Sequence, residues 1–217
     1  MSIRLRYENE LKAVFEKLIT MCRHIEVMIE KSINALKQRD EELAREVIEE
    51  DGTVDNLERD IEQACLKILL MEHPVAKDFR EVSAALKMIT DLERIGDQAR
   101  DIAEIALQFG DEEYIKKLEH IPMMATCVIS MVKNGVMAYI NRDLELARSL
   151  GKTDDKVDEL FEIIKSDLIE LIKKNCGNAN QAILFMMIAK YLERIGDHAV
   201  NIGEWVEYAI TGVHLQQ

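Results

Sequence analysis

Proline and glycine are scarce in this chain, with two Pro and nine Gly among 217 residues. Together with 48% hydrophobic and 32% charged residues, that scarcity excludes a disordered chain and suits long helices around a substantial core. No stretch of 18 residues is free of charge, and Met1–Tyr7 holds no apolar run of signal-peptide length, so neither a membrane span nor an export signal is expected. No Cys-x-x-Cys pair joins any of Cys22, Cys65, Cys127 and Cys176, which argues against a thiolate metal site. Standing at or beside apolar positions, all are expected as buried free thiols in a cytoplasmic, reducing compartment.

Basic charge is also in deficit. With 28 Lys and Arg against 41 Asp and Glu, the formal charge of −13 repels nucleic acid and anionic membranes, leaving cations and basic protein surfaces as partners. Nucleophile motifs are missing too: there is no Gly-x-Ser-x-Gly, no phosphate-cradling Gly-Lys-Ser/Thr loop is expected, and no cysteine has a histidine partner nearby in sequence. Catalysis would therefore have to come from a bound metal. A metal-dependent hydrolase or oxidase is the alternative to a non-enzymatic binding protein.

What is present is helical rhythm. Leu11, Val14, Leu18, Cys22, Ile25 and Ile29 recur every three or four residues within a helix expected over Glu8–Arg39. Asp40 is placed to cap a second helix, which carries its apolar face to Met71 and ends at Pro74. A third is expected over Val75–Gln108, closed by Gly110, and a fourth with Pro122 in its first turn. The fifth and sixth are expected over Asp143–Asn175 and Ala179–Ile210. Helices of this length, about 45 Å, with tight turns between them, form antiparallel bundles.

The helices come in two matching sets. Glu93-Arg94-Ile95-Gly96-Asp97 recurs as Glu193-Arg194-Ile195-Gly196-Asp197, and the stretch beginning Gln38-Arg39-Asp40 aligns with that beginning Asn141-Arg142-Asp143. The expected fold is therefore all-α, two tandem three-helix antiparallel bundles related by internal repeat, divided as residues 1–110 and 111–217. A sheet is not expected.

Each repeat carries acidic residues four apart, which lie one turn above the other on one helix face. Like charges at that spacing repel, and the mid-helix glycine beside them costs about 1 kcal/mol more. Further pairs stand at Asp51 and Asp55 in the second helix, and at Asp154 and Asp158 in the fifth. Positions 53 and 95, the centres of the first two pairs, are equidistant from Pro74; positions 156 and 195 are equidistant from the Cys176-Gly177 turn. In an antiparallel hairpin, equidistant residues lie level. Asp51, Asp55, Glu93 and Asp97 should therefore converge, as should Asp154, Asp158, Glu193 and Asp197.

Carboxylates held together must protonate, pair with Lys or Arg, or bind a metal. Oxygen-only ligands suit hard divalent cations such as Mg2+, Mn2+ and Ca2+, and also iron. Arg94 and Arg194 are read as surface ion-pair partners, and His198 beside Asp197 is a weaker ligand candidate. Met123, Met124, Met131, Met137, Met186 and Met187 read as core, and Trp205 as core or a partner contact.

These residues resemble the PhoU family of phosphate-uptake regulators. The likeness is carried by His73-Pro74-Val75-Ala76-Lys77-Asp78-Phe79-Arg80, by both Glu-Arg-Ile-Gly-Asp segments and by Asn201-Ile202-Gly203. It implies a cytoplasmic, usually dimeric protein, not an enzyme, that binds divalent metal (iron, Mn, Mg, Zn or Ca) at the family's acidic motifs. Here these fall on Asp51, Asp55, Glu93, Asp97, Asp154, Asp158, Glu193 and Asp197. The implied role is negative regulation of phosphate import, as an adaptor between the nucleotide-binding subunit of the phosphate ABC transporter and the sensor histidine kinase of the phosphate two-component system. Membrane association would come only through those partners. Gln98 stands where the second repeat has His198, and Asp101 where it has Asn201, so the halves are not equivalent.

Overall fold

The computed structural model describes residues 3–71, 75–110 and 113–213. Its helices are α1 (Ile3–Gln38), α2 (Glu41–Met71), α3 (Ala76–Ala106), α4 (His120–Asn141), α5 (Leu144–Lys174) and α6 (Ala179–Thr211). Short 3-10 turns follow α3 at Leu107–Phe109 and precede α6 at Cys176–Asn178, and no strand occurs among the described residues. The fold is all-α, with α1–α3 packed on one another and α4–α6 repeating the arrangement. Pro74, expected to end the second helix, lies outside the described residues.

Helix α1 begins at Ile3 rather than Glu8. The extra turn is held from both sides: Arg4 donates to Glu8 at 3.0 Å and to the buried Asp78 of α3 at 2.7 Å. Tyr7 then places its hydroxyl between the Asp78 carbonyl and Glu81.

The α1–α2 and α4–α5 turns share one construction. Arg39 and Arg142 adopt left-handed backbone, with φ of 56° and 53°. The next residue turns its N–H back to Ala35 at 3.0 Å or Ala138 at 2.9 Å. Asp40 and Asp143 then cap the following helix through N–H bonds from Leu43 and Leu146. Glycine is the usual residue at such a left-handed position, because arginine there costs about 1–2 kcal/mol. The side chains offset that cost by crossing to the other half. The Arg39 guanidinium stacks 4.4 Å from the Tyr114 ring centre, and Arg142 pairs with Glu81, whose side chain is only 5% exposed.

The two halves share one core. Helices α3 and α6 make the most extensive pairing in the molecule, and α1 also packs on α4. Lys87 lies over the Trp205 ring and Asp91 meets His198 and Asn201, while farther along α3 Asp101 meets Tyr191, nearer the start of α6. The pair is thus antiparallel and exchanges roles about a point near Gly96 and Gly196. The connection between halves is pinned by Phe109, Tyr114 and Phe185, with ring centres 4.6–5.4 Å apart.

Helix α4 is apolar enough over 22 residues to span a membrane by length and composition alone. Here Met124, Val128, Met131 and Val132 are buried against neighbouring helices. The methionine expectation holds for Met124 and Met131 but not for Met123 and Met187, which are exposed. Likewise Cys22 and Cys65 are buried, Cys127 is intermediate, and Cys176 is exposed because it sits in the α5–α6 turn.

Replacing Arg142 leaves Glu81 buried without its cation, which typically costs about 3 kcal/mol. Arg142→Ala should therefore lower the unfolding free energy by about that amount. Arg142→Gly should lower it by about 1 kcal/mol less, because glycine adopts the left-handed backbone without penalty. Urea unfolding of both variants measures the difference.

Candidate metal centre

The acidic residues stand at the edge of the core because of what lies between them. Val54 and Val157 are fully buried, and each is flanked on its helix by the acidic pair, Asp51 with Asp55 and Asp154 with Asp158. On the facing helices Leu92, Ile95, Leu192 and Ile195 are fully buried, which turns Glu93 and Asp97, and Glu193 and Asp197, toward the same seams. Burying the apolar residues fixes where the carboxylates go.

Glycine brings the helices close there. A Cβ on Gly96 would stand 3.1 Å from Val54 Cγ1, and one on Gly196 only 2.6 Å from Asp154 Oδ1. A side chain at position 196 would force the Asp154 carboxylate to shift, so Gly196 lets that carboxylate keep its position.

In the first half the level predicted by counting is observed. Asp51 of α2 accepts from Arg100 Nη1 at 2.5 Å, and Asp97 of α3 is ion-paired with the same nitrogen at 2.9 Å. Arg100 also reaches Asp101 at 3.2 Å. Asp55 faces Arg59 at 3.5 Å, while Arg94, more than half exposed, stands 3.4 Å from Asp97 and 3.6 Å from Glu93. Burial raises the Asp51 and Glu93 carboxyls; Arg100 counteracts this at Asp51, whereas Asp97 adds to it at Glu93.

Among the described residues, the second quartet has no comparable guanidinium. Val200 occupies the position that repeats Arg100. Asp154 Oδ1 is buried with no hydrogen-bond partner. Burial and then the charges of Asp158, Asp197 and Glu193 push its carboxyl up to about 6. Asp197 is raised by burial and by Glu193, with Lys190 acting the other way. Lys190 is half exposed and pairs with Glu193 on its own helix.

These carboxylates are neighbours rather than a closed shell: among the described residues no three acidic, histidine or cysteine side chains are gathered tightly enough to hold an ion as they stand. A buried oxygen without a partner nevertheless suits a cation as its partner, because an uncompensated buried acceptor is costly. The second quartet passes that test, whereas in the first quartet a guanidinium already fills the role. His198 turns away from it, its Nδ1 lying 2.9 Å from Asp91 of α3. Trp205 is half-buried and packs edge-on to Tyr208, with ring centres 6.2 Å apart. Gly151-Lys152-Thr153 lies inside α5 and forms no phosphate loop.

Sequence reasoning missed Arg100. Its signal was available, since it lies three residues after Asp97 and so on the same helix face.

The PhoU domain matches residues 18–106 and again residues 121–206, and each match contains one acidic quartet. The chain belongs to the PhoU family. A phosphate-specific transport system accessory protein PhoU homolog of Clostridium acetobutylicum is 34% identical over 207 residues, covering 95% of this chain and 94% of the relative. Another, from Aquifex aeolicus, is 36% identical, covering 86% and 84%. The crystal structure of PhoU from Pseudomonas aeruginosa superposes with a TM-score of 0.90 at 31% identity, covering 95% of this chain and all of that one. The PhoU fold thus accounts for both halves and for their packing on each other.

A carboxyl raised by folding binds its proton more tightly in the native state, so the stability it contributes is full below about pH 4 and is lost as pH rises through about 6. In metal-free protein, Asp154→Asn should therefore gain on wild type between pH 4 and pH 7. The expected gain is about 1 kcal/mol, after allowing for solvent screening of a partly exposed group. Denaturant unfolding in chelator at the two pH values measures it.

Proposed function

We propose that the chain is a cytoplasmic, metal-binding negative regulator of phosphate uptake and phosphate-starvation signalling. In this reading it is not an enzyme. It acts as an adaptor between the nucleotide-binding subunit of a phosphate ABC transporter and the sensor histidine kinase of the phosphate two-component system, reaching the membrane only through them. The observation that carries the reading is the PhoU match over both halves, each built around an acidic quartet. Its relatives are described as accessory proteins of a phosphate-specific transport system, which supports the transporter as partner.

A divalent cation (iron, Mn, Mg, Zn or Ca) would be held by Asp154, Asp158, Glu193 and Asp197. The first-half set is Asp51, Asp55, Glu93 and Asp97. A bound ion would supply countercharge that locks α5 to α6. Homodimerisation is part of the proposal. Exposed Leu70, Met71, Val75 and Phe79 at the α2–α3 end, and Ile169, Ile183 and Met187 toward the α5–α6 end, offer apolar contact area for a partner protein.

The tagged chain, isolated from phosphate-replete cells, should co-purify the transporter's nucleotide-binding subunit and the kinase. Deleting it should raise phosphate import in rich medium. Recovery of neither partner together with unchanged import contradicts the proposal.

A further inference from the structure

The two halves repeat the acidic quartet but not what neutralises it. In the first, Arg100 reaches between helices: one nitrogen binds Asp51 of α2 and Asp97 of α3, another binds Asp101, and Nε lies 3.8 Å from Glu104. The guanidinium is 30% exposed and stays protonated at any physiological pH. In the second half Val200 stands at the repeated position. Lys190, half exposed, pairs with Glu193 and does not satisfy Asp154 Oδ1.

We infer that Arg100 is a built-in countercharge that closes the first quartet to metal, so that the chain takes its divalent cation through Asp154, Asp158, Glu193 and Asp197. The inference rests on the metal-binding reading above and sharpens it. An ion entering the first quartet would compete for Asp51 Oδ2, which accepts from Arg100, and for Asp97 Oδ1, which is ion-paired with the same nitrogen. It would also displace a part-buried guanidinium from its acidic partners, leaving two cations against one cluster. Nothing comparable opposes an ion at Asp154. The buried oxygen there gains a partner, and repulsion among four carboxylates falls.

The charge can also be exchanged between halves. Arg100 and Val200 are both intermediate in exposure, so neither exchange places a charge at a fully buried position.

Calorimetric titration of the full chain with Mn2+ tests this in wild type, Asp97→Asn, Asp197→Asn, Arg100→Val and Val200→Arg. Wild type should show one set of sites, lost in Asp197→Asn and kept in Asp97→Asn. Arg100→Val should roughly double the Mn2+ bound, and a further Asp97→Asn should remove the gain. Val200→Arg should abolish binding. The inference is overturned if Asp97→Asn reduces wild-type binding as Asp197→Asn does, or if folded Arg100→Val binds no more than wild type. Should Arg100→Val fail to fold, undiminished binding by Val200→Arg overturns it instead. No Mn2+ bound by wild type or by Arg100→Val would sink the metal-binding reading itself, a result distinct from loss of the asymmetry alone.

Discussion

Carboxylates placed level on antiparallel helices repel one another, and this constraint shapes the centre of the molecule. Two unit charges about 5 Å apart interact by about 3 kcal/mol at an effective dielectric near 20, a sizeable share of a domain's net stability. The core does not allow the charges to separate freely. Val54 and Val157 anchor one side of each seam, Leu92, Ile95, Leu192 and Ile195 the other, and all are fully buried. The repulsion is therefore met locally, by a guanidinium in the first half and by a raised carboxyl in the second.

The same constraint links the halves. Because α3 and α6 carry the acidic motifs and also pack on each other, the quartets sit back to back on one central antiparallel pair. A change in charge at one seam bears on a helix whose other faces form the shared core. Arg39 and Arg142 work in the same direction at the turns, accepting unfavourable backbone so that each side chain can tie its own half to residues outside it. In the proposed regulator, an ion bound at the second seam would alter the rigidity of α6 and, through it, of the surface offered to partners.

Much of this was legible in the sequence, because apolar periodicity and exact repetition are local signals. The helix order, the repeated Arg-Asp turns and the level of Asp51 with Asp97 all follow from counting. The packing of α3 on α6 does not, since it depends on faces left over after each three-helix set has formed. Arg100 was hidden for a different reason: its neighbours Asp97 and Asp101 advertise an acidic face, and a single basic residue among them reads as solvated until its position between two helices is known. Cys176 and Met187 show the converse error, apolar residue types taken as core although they fall at a turn and on an exposed face.

Thermal unfolding of wild type in Mn2+ and in excess chelator is the most direct measure of whether the second seam is completed by a cation. An ion held only by the native state at 100 times its Kd adds about 2.7 kcal/mol, which for a chain of this size is a Tm shift of roughly 5–10 °C. The account predicts that loss in chelator for wild type and little response in Asp197→Asn, whose seam no longer binds the ion. Identical melting of wild type with and without chelator would contradict it and leave the carboxylates as a solvated acidic face.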